Sequence, residues 1–204
     1  LIQGPDLPIA TVSWFSPSPD GKWLAVGVLQ DVSGGNKISV ISVSSGKRLA
    51  DSPDQMLLDK WTGACWLPDS SGFYFLALKG EKSQQNQKVY YYRMRKGCNE
   101  VTSIPMQGTD PTDYTCVTLS PQGHYLVASH GYLTTRPIAI KNQQQPNSQW
   151  QAFITDIDGI VAGFVRDDQF IAFTDMDAAR GRVVSIPLES PNPNDTSCWQ
   201  ELVA

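Results

Sequence analysis

Short apolar runs separated by polar turns recur along the whole chain. In residues 37–43, apolar and polar residues alternate with a period of two, which is typical of a β-strand with one solvent-exposed face. No segment of ten or more residues shows convincing helical periodicity. The 16 Gly and 14 Pro are spread throughout the chain, which also disfavours long helices. The pattern therefore predicts an all-β protein built from short antiparallel strands.

A turn phrase built around Pro, Asp and Gly recurs between apolar runs. It occupies residues 18–25, 68–75, 120–127 and, in a degenerate form, 166–173. Gly21, Gly72 and Gly123 follow one another at intervals of 51 residues, and Gln169 takes the corresponding place 46 residues later. Pro presets the first φ angle of such a turn, Asp can hydrogen-bond its own backbone, and Gly accepts a positive φ. A period of about 50 residues indicates a repeat architecture.

Each repeat contains four strand-like runs, which is the composition of a β-propeller blade. In the first repeat the fourth run is the least distinct, and residues 55–58 are its candidate. We predict a single β-propeller domain over residues 1–204. The predicted blades cover approximately residues 8–58, 59–107, 110–155 and 156–204. Regular short strands also fit a β-sandwich, but the constant place of the turn phrase within each repeat favours the propeller.

Composition and charge exclude several classes of function. The formal net charge is −4 and the Lys and Arg residues are scattered, so nucleic-acid binding is not expected. No apolar stretch approaches the ~20 residues that a membrane-spanning helix needs. The first five residues resemble neither a signal peptide nor a natural initiator, so a longer or processed parent is expected. The compartment of this soluble chain stays open between cytoplasm and periplasm.

Metal, cofactor and catalytic motifs are missing from the sequence. The four cysteines are Cys65, Cys98, Cys116 and Cys198. They form no Cys-x-x-Cys pair, so a zinc site is not expected, and small buried thiols are favoured over disulfides. No Gly-x-Ser-x-Gly elbow and no glycine-rich phosphate loop occur, and no cofactor is predicted.

The two histidines and the acidic pairs have ordinary structural interpretations. His124 is interpreted as a packing or surface residue. His130 is the better site candidate, but the favoured interpretation is an ordinary loop histidine. Two acidic pairs are interpreted as solvated turn residues: Asp156 with Asp158, and Asp167 with Asp168. From its residues alone, the chain is predicted to be a binding or gating module rather than a catalyst.

Several stretches, in chain order, resemble the propeller domain of the prolyl oligopeptidase family of serine peptidases. Residues 16–27 are similar to that family's phrase of Ser, an acidic Gly turn and a strand ending Ala-Tyr-Gly. Residues 61–69 resemble its segment of an aromatic, Ser, a small residue and Trp, and residues 87–93 resemble its Gln-Lys-Val-Tyr-Tyr-His strand. Residues 174–186 resemble its Thr-Asn-x-x-Ala-Pro-x-x-Arg-Leu stretch, and residues 199–203 its closing Trp-x-x-Leu-Val.

The resemblance implies a seven-bladed propeller that caps an α/β-hydrolase domain carrying Ser, Asp and His. This chain would hold about four of those blades and none of the catalytic residues. The cap would admit only short peptides, which the parent serine-type endopeptidase would cleave after proline. The resemblance also implies two substrate-binding residues, Trp61 and Tyr114, where the family commonly has Phe and Met. The alternatives are a core aromatic for Trp61 and a loop aromatic for Tyr114.

Three segments depart from the family pattern. Residues 79–86 and 141–148 are polar insertions and predict exposed loops. Pro137 replaces a residue with an N–H at the start of a strand. The strand is therefore expected to begin there or to lie at a sheet edge.

Two other functions stay open from the sequence. One is a stand-alone protein-interaction propeller of the TolB type. The other is a propeller enzyme with carboxylates on its innermost strands, which the apolar character of those strands disfavours. If the chain holds four blades of a larger ring, two blade faces lack a neighbour. The isolated chain is then expected to self-associate, to close into a tighter ring, or to be marginally stable.

Overall fold

The computed structural model describes residues 11–29, 36–53, 56–57, 63–78, 87–94, 97–103, 115–130 and 136–203. Within these residues the chain forms four antiparallel sheets of four strands each. Every sheet is made from four strands that are consecutive in sequence. The predicted fold class, an all-β chain of four-stranded antiparallel repeats, is confirmed.

The first two sheets come from the N-terminal half of the chain. The first sheet contains β1 (Thr11–Pro17), β2 (Trp23–Leu29), β3 (Asn36–Ser42) and β4 (Met56–Leu57). The second sheet contains β5 (Cys65–Trp66), β6 (Gly72–Leu78), β7 (Gln87–Arg93) and β8 (Gly97–Ser103). Strand β4 lies inside the run that the sequence marked as the least distinct.

The other two sheets come from the C-terminal half. The third sheet contains β9 (Thr115–Leu119), β10 (Tyr125–His130), β11 (Arg136–Asn142) and β12 (Gln151–Ala152). The fourth sheet contains β13 (Val161–Arg166), β14 (Gln169–Thr174), β15 (Arg182–Pro187) and β16 (Gln200–Val203). The chain divides into two compact units, Leu1–Ile104 with the first two sheets and Pro105–Ala204 with the last two.

Aromatic side chains form the core of the N-terminal unit. Phe73 is fully buried, and its ring centroid lies 4.8 Å from that of Trp66 and 5.1 Å from that of Tyr92. These rings pack against small and branched residues of the first sheet, including Ala25 and Val40. The two sheets are therefore joined face to face through a dry apolar layer.

Hydrogen bonds add to this contact between the first two sheets. The Trp66 indole donates to the Ser16 carbonyl at 3.0 Å, and the Ser16 hydroxyl donates to the Ala64 carbonyl at 3.1 Å. Each bond satisfies a polar group in a partly buried position, where an unpaired group would be costly.

A second apolar cluster joins the third and fourth sheets. The third sheet and the segment after it contribute residues that include Val127, Ile140 and Phe153. The fourth sheet contributes residues that include Phe170 and Ile186, both nearly fully buried. The rings of Phe153 and Phe170 meet edge to face at 5.3 Å.

The first three turns share one backbone geometry, but the residues that correspond in it are not the three glycines aligned from the sequence. Gly21 and Gly123 have φ of 70° and 78°, and each donates its N–H to the carbonyl three residues earlier. In the second repeat Ser70 takes this place, with φ of 58° and the same bond to Leu67. Gly72 instead begins β6. Aligning Gly72 with the turn glycines is therefore wrong, because a serine adopts the left-handed conformation there.

The serines that precede these turns hold them closed. The Ser18 hydroxyl accepts from the Trp23 amide at 3.0 Å and donates to Asp20 Oδ1 at 2.7 Å. Ser120 accepts from the amides of His124 and Tyr125, both at 3.0 Å. The serine of the Ser-Pro pair that recurs in the first and third repeats thus stabilises its turn through local hydrogen bonds.

Neighbouring turns are also linked within each unit. Ser70 accepts the Asp20 amide at 3.0 Å in the N-terminal unit. In the C-terminal unit Gln122 donates to Asp167 at 3.1 Å, and the Tyr125 hydroxyl lies 3.4 Å from Asp168. The fourth turn has only two residues between Arg166 and Gln169, which pair directly, and Asp167 has φ of 53°. This shortening explains the degenerate fourth phrase.

The carboxyl group of Asp20 is expected to titrate at an unusually low pH. The Ser18 hydroxyl first, and then the Lys22 amide at 3.1 Å, lower the pKa of Asp20 from 3.8 to about 2. A carboxyl with a depressed folded-state pKa stabilises the fold above its unfolded pKa of about 3.8, and that contribution is lost as the pH falls through about 2. Carbon-detected NMR titration of the side-chain carboxyls should show this pKa. In Ser18→Ala it should move back towards 3.8. An unchanged value in the variant would contradict the assigned cause.

Pro137 lies inside the third sheet rather than at its edge. Strand β11 begins at Arg136 and has neighbours on both sides, because β10 and β12 pair with it. The register between β10 and β11 shifts between Ala128 and Ser129, opposite Pro137. The missing N–H is thus accommodated at a bulge, while the Pro137 carbonyl still accepts the Ile154 amide at 2.9 Å.

Of the two predicted polar loops, only the second can be described. Residues 143–148 form turns after β11 with mostly exposed side chains, as expected. Residues 79–86 lie outside the described residues. The thiols differ from the prediction at one place, because Cys198 is exposed while Cys65 and Cys116 are partly buried. Burial raises the pKa of the Cys116 thiol.

Candidate functional site

Polar residues gather at one end of the third and fourth sheets. We call this end the first-strand end, because the first strand of each sheet begins there. The second strand ends at the same end, and the third strand begins there. In the third sheet Thr115, His130 and Arg136 pair there across β9, β10 and β11. In the fourth sheet Thr174 and Arg182 pair there across β14 and β15. Loops leave the sheets at this end, which is where binding residues are often found.

His130 is the last residue of β10 and only 4% of its surface is exposed. Its interpretation as an ordinary loop histidine is therefore wrong. The histidine lies in a strand, because it pairs with Thr115 of β9 on one side and with Arg136 of β11 on the other. His124, by contrast, lies half-buried in the turn before β10, as expected of a packing or surface residue.

Two long-range hydrogen bonds shape the first-strand end. The Arg136 guanidinium donates to the Gly159 carbonyl at 3.0 Å, which ties the start of β11 to the segment before β13. The Asp175 carboxylate accepts the Ile160 amide at 2.7 Å. Gly159 has φ of 148°, and a Cβ there would lie 2.8 Å from Asp175 Oδ1. Glycine thus lets the carboxylate approach the backbone.

A shallow pocket of about 360 Å³ lies at the same end of the fourth sheet, between the β14–β15 loop and β16. Its charged lining residues are Asp177, Arg180, Arg182 and Glu201. Arg182 donates to Glu201 at 3.2 Å, and Arg182 Nε is buried without a hydrogen-bond partner among the described residues. Charged residues of both signs make this pocket suited to a polar ligand rather than to a fully apolar one.

The two residues that the family resemblance singled out, Trp61 and Tyr114, lie outside the described residues. The nearest described residues that follow them are Gly63 and Thr115. Tyr114 directly precedes Thr115, the first residue of β9, and Trp61 is followed after one residue by Gly63, shortly before β5. Each residue therefore precedes the first strand of a sheet.

Sequence reasoning missed Arg136, Gly159 and Asp175 as members of this end. Arg136 directly precedes Pro137, where the sequence departs from the family pattern, and Asp175 falls within residues 174–186, which resemble the family. Their partners are 23 and 15 residues away, and no local pattern marks such pairs.

The two acidic pairs lie at the surface. Asp156, Asp158, Asp167 and Asp168 are all exposed. Within the described ranges, no three His, Cys, Asp or Glu side chains come close enough together to bind a metal ion. In the same part of the chain, we find no helix with the length and apolar character needed to cross a membrane.

Comparison with known protein families identifies the family of this chain. The family model for the prolyl oligopeptidase N-terminal β-propeller domain matches residues 9–204. The chain belongs to this family. The predicted resemblance is confirmed, and the four described sheets are blades of this propeller domain.

Solved structures share the fold at low sequence identity. A structure from a study of two prolyl endopeptidases is 21% identical, with a TM-score of 0.74 over 96% of this chain and 29% of that one. Prolyl oligopeptidase B from Galerina marginata is 18% identical as the apo protein, with a TM-score of 0.72 and the same coverage of 96% and 29%. The same enzyme bound to a 25-residue macrocyclization substrate is 17% identical, with a TM-score of 0.70, again over 96% and 29%.

This chain therefore spans under a third of the length of these solved relatives. At this identity the likeness shows the fold alone. Comparison with curated protein sequences gave no significant match.

Proposed function

We propose that this chain is the non-catalytic, substrate-gating propeller portion of a prolyl-oligopeptidase-type serine peptidase that cleaves short peptides after proline. The observation that carries the proposal is the family match over residues 9–204. The solved relatives are prolyl endopeptidases and oligopeptidases, and one of them is bound to a peptide substrate. Gating suits a domain whose sequence contains no nucleophile elbow and only two histidines.

A gating propeller would select substrates by their size rather than by their chemical groups. A rigid ring of sheets can exclude folded proteins from a nucleophile on a neighbouring domain while short peptides pass. The face-to-face packing within each unit, through Phe73 in one and Phe170 in the other, supplies such rigidity. The chemistry would then be done by a Ser-Asp-His hydrolase domain elsewhere in the parent.

We also propose that Trp61 and Tyr114 contact the substrate. Each precedes the first strand of a sheet in the sequence, Trp61 before β5 and Tyr114 before β9. In the C-terminal unit the first-strand end carries Arg136 and Asp175, whose bonds hold the adjoining loop segment in place. Flat aromatic rings can stack on proline rings and on peptide planes.

The parental protein provides the test of the function. It is expected to contain a Ser-Asp-His hydrolase domain and to cleave a short chromogenic peptide after Pro but not the matched peptide with Ala. The 204-residue chain alone is expected to cleave neither. A parent made only of propeller blades, with a stable protein partner in pull-downs, would reject the proposal and favour an interaction propeller of the TolB type.

Substitution of the two aromatics tests their role separately. In the parental enzyme, Trp61→Ala and Tyr114→Ala should each raise KM for the short proline peptide about tenfold, since an aromatic contact of about 1.4 kcal/mol is lost. The conservative variants Trp61→Phe and Tyr114→Phe keep a flat ring and should stay close to wild type. Unchanged KM in both alanine variants, with normal thermal stability, would assign the residues to packing instead.

A further inference from the structure

The first strands of three sheets can be aligned at their turns. In each of these sheets one residue lies opposite the first residue of the second strand, and these residues are Leu67, Ser120 and Arg166. The residues six positions earlier are Trp61, Tyr114 and Ile160. Ile160 is therefore the counterpart, in the fourth repeat, of the two aromatic residues that we propose to contact the substrate.

Ile160 lies outside the apolar core, although its neighbours in sequence belong to it. Among the described residues, Ile157 and Val161 are members of the apolar cluster between the third and fourth sheets, whereas Ile160 is not. Ile160 is half-buried and directly precedes β13, so it lies at the first-strand end of the fourth sheet. An aliphatic side chain that the core does not use can contact a ligand at this end.

The backbone in front of Ile160 is held by charged side chains from two sheets. The Gly159 carbonyl and the Ile160 N–H belong to one peptide unit. Arg136, at the start of β11, donates to this carbonyl at 3.0 Å, and Asp175, directly after β14, accepts this N–H at 2.7 Å. Hydrogen bonds that involve an ionised group are stronger than those between neutral groups. Both polar groups of this peptide unit are thus fixed, which restricts the direction of the Ile160 side chain.

The segment between the third and fourth sheets has a second anchor, farther from Ile160. Asn194 Oδ1 accepts the amides of Thr155 and Asp156 at 2.9 and 3.0 Å. Asn194 Nδ2 donates to the Phe153 carbonyl at 2.9 Å. These bonds hold the part of the segment that leaves the third sheet. The segment is therefore fixed at two separate places, and only one of them adjoins Ile160.

We propose that Ile160 is a third substrate-contacting residue, and that Arg136 and Asp175 are its positioning residues. This inference depends on the proposed function, because the parent must bind a short proline peptide at the first-strand end. The group contacted is an apolar part of that peptide, since an aliphatic side chain offers only hydrophobic and van der Waals contact. A residue held in place before binding makes such a contact without a further loss of conformational freedom.

Substitution of Ile160 in the parental enzyme tests the contact. Ile160→Ala should raise KM for the short proline peptide about fourfold, which corresponds to the loss of roughly one buried CH₂ group. The kcat should stay unchanged, because the contact is equally strong in the ground state and in the transition state. Ile160→Val keeps most of the side chain and should stay close to wild type.

Substitution of Asp175 tests the positioning. Asp175→Ala should raise KM, by no more than Ile160→Ala does, and should add nothing further in the Ile160→Ala background. Asp175→Asn should restore the wild-type KM, since an amide oxygen can also accept the Ile160 N–H. Asn194→Ala is the matched control. It removes the other anchor of the same segment, so it should lower the melting temperature and leave KM unchanged.

Three outcomes would overturn the proposal. An unchanged KM for Ile160→Ala, in a parent that cleaves the proline peptide, would overturn it and leave the proposed function intact. An Asn194→Ala enzyme whose KM rises as much as that of Asp175→Ala would show that loosening of the whole segment, rather than the place of Ile160, weakens binding. A parent that neither binds nor cleaves the proline peptide would reject the proposed function and this inference with it.

Discussion

Replacing Phe73 by alanine is expected to remove about 3–5 kcal/mol from the free energy of unfolding of the N-terminal unit. Phe73 has no exposed surface, and its ring lies between Trp66 and Tyr92 at centroid distances of 4.8 and 5.1 Å. Truncation loses the transfer free energy of the ring and leaves a cavity. Rigid strands on both sides prevent the neighbouring aromatic rings from closing it.

Urea denaturation followed by tryptophan fluorescence measures this loss. Phe73→Leu keeps much of the volume and should cost distinctly less than the alanine variant. Val43→Ala, at an exposed turn position, should change stability by no more than about 0.5 kcal/mol. A loss below about 1 kcal/mol for Phe73→Ala would mean that the aromatic layer does not hold the first two sheets together.

Replacing Gly163 by alanine is expected to destabilise the C-terminal unit by about 2–3 kcal/mol. A Cβ at Gly163 would overlap the Ile171 carbonyl oxygen and lie 2.8 Å from the Ala172 Cα. Both obstacles are backbone atoms of the paired strand β14, so neither can move without distorting the strand pair. The glycine is required by this close approach of two strands.

Gly63 provides the matched control for this substitution. It has nothing within 4 Å of the position that a Cβ would take, so Gly63→Ala should be neutral or slightly stabilising. Thermal unfolding by circular dichroism compares the two variants directly. Equal melting temperatures for both would show that the β13–β14 pair relaxes easily, contrary to the expected rigidity.

The strands of this propeller domain could be predicted because their signal is local. The alternation in residues 37–43 corresponds to β3, and the weak run at residues 55–58 contains β4. The period of about 50 residues indicated repeats, and the structure has one four-stranded sheet for each. The strand predictions depended on patterns within a few neighbouring residues, and the number of repeats depended on the recurrence of one short phrase.

The residue with positive φ in the second turn could not be predicted, because the spacing of glycines does not show which turn residue adopts that conformation. Ser70 adopts that conformation and its hydroxyl accepts the Asp20 amide, a bond that spans 50 residues. The tertiary contact thus holds a serine in a conformation that the sequence assigned to Gly72. His130 was misplaced for a related reason, since the end of β10 is set by its pairing with Thr115 and Arg136.

Strand content, repeat number and family could be read from the amino-acid sequence, because alternation and turn chemistry are encoded between adjacent residues. Which polar residues meet at the first-strand end, and which apolar side chains are exposed, follow only from the folded structure. The contacts of Arg136 with Gly159 and the exposure of Phe15 and Phe164 depend on how whole sheets pack. Each sheet packs against the next through one of its faces, and residues far apart in sequence together form that face.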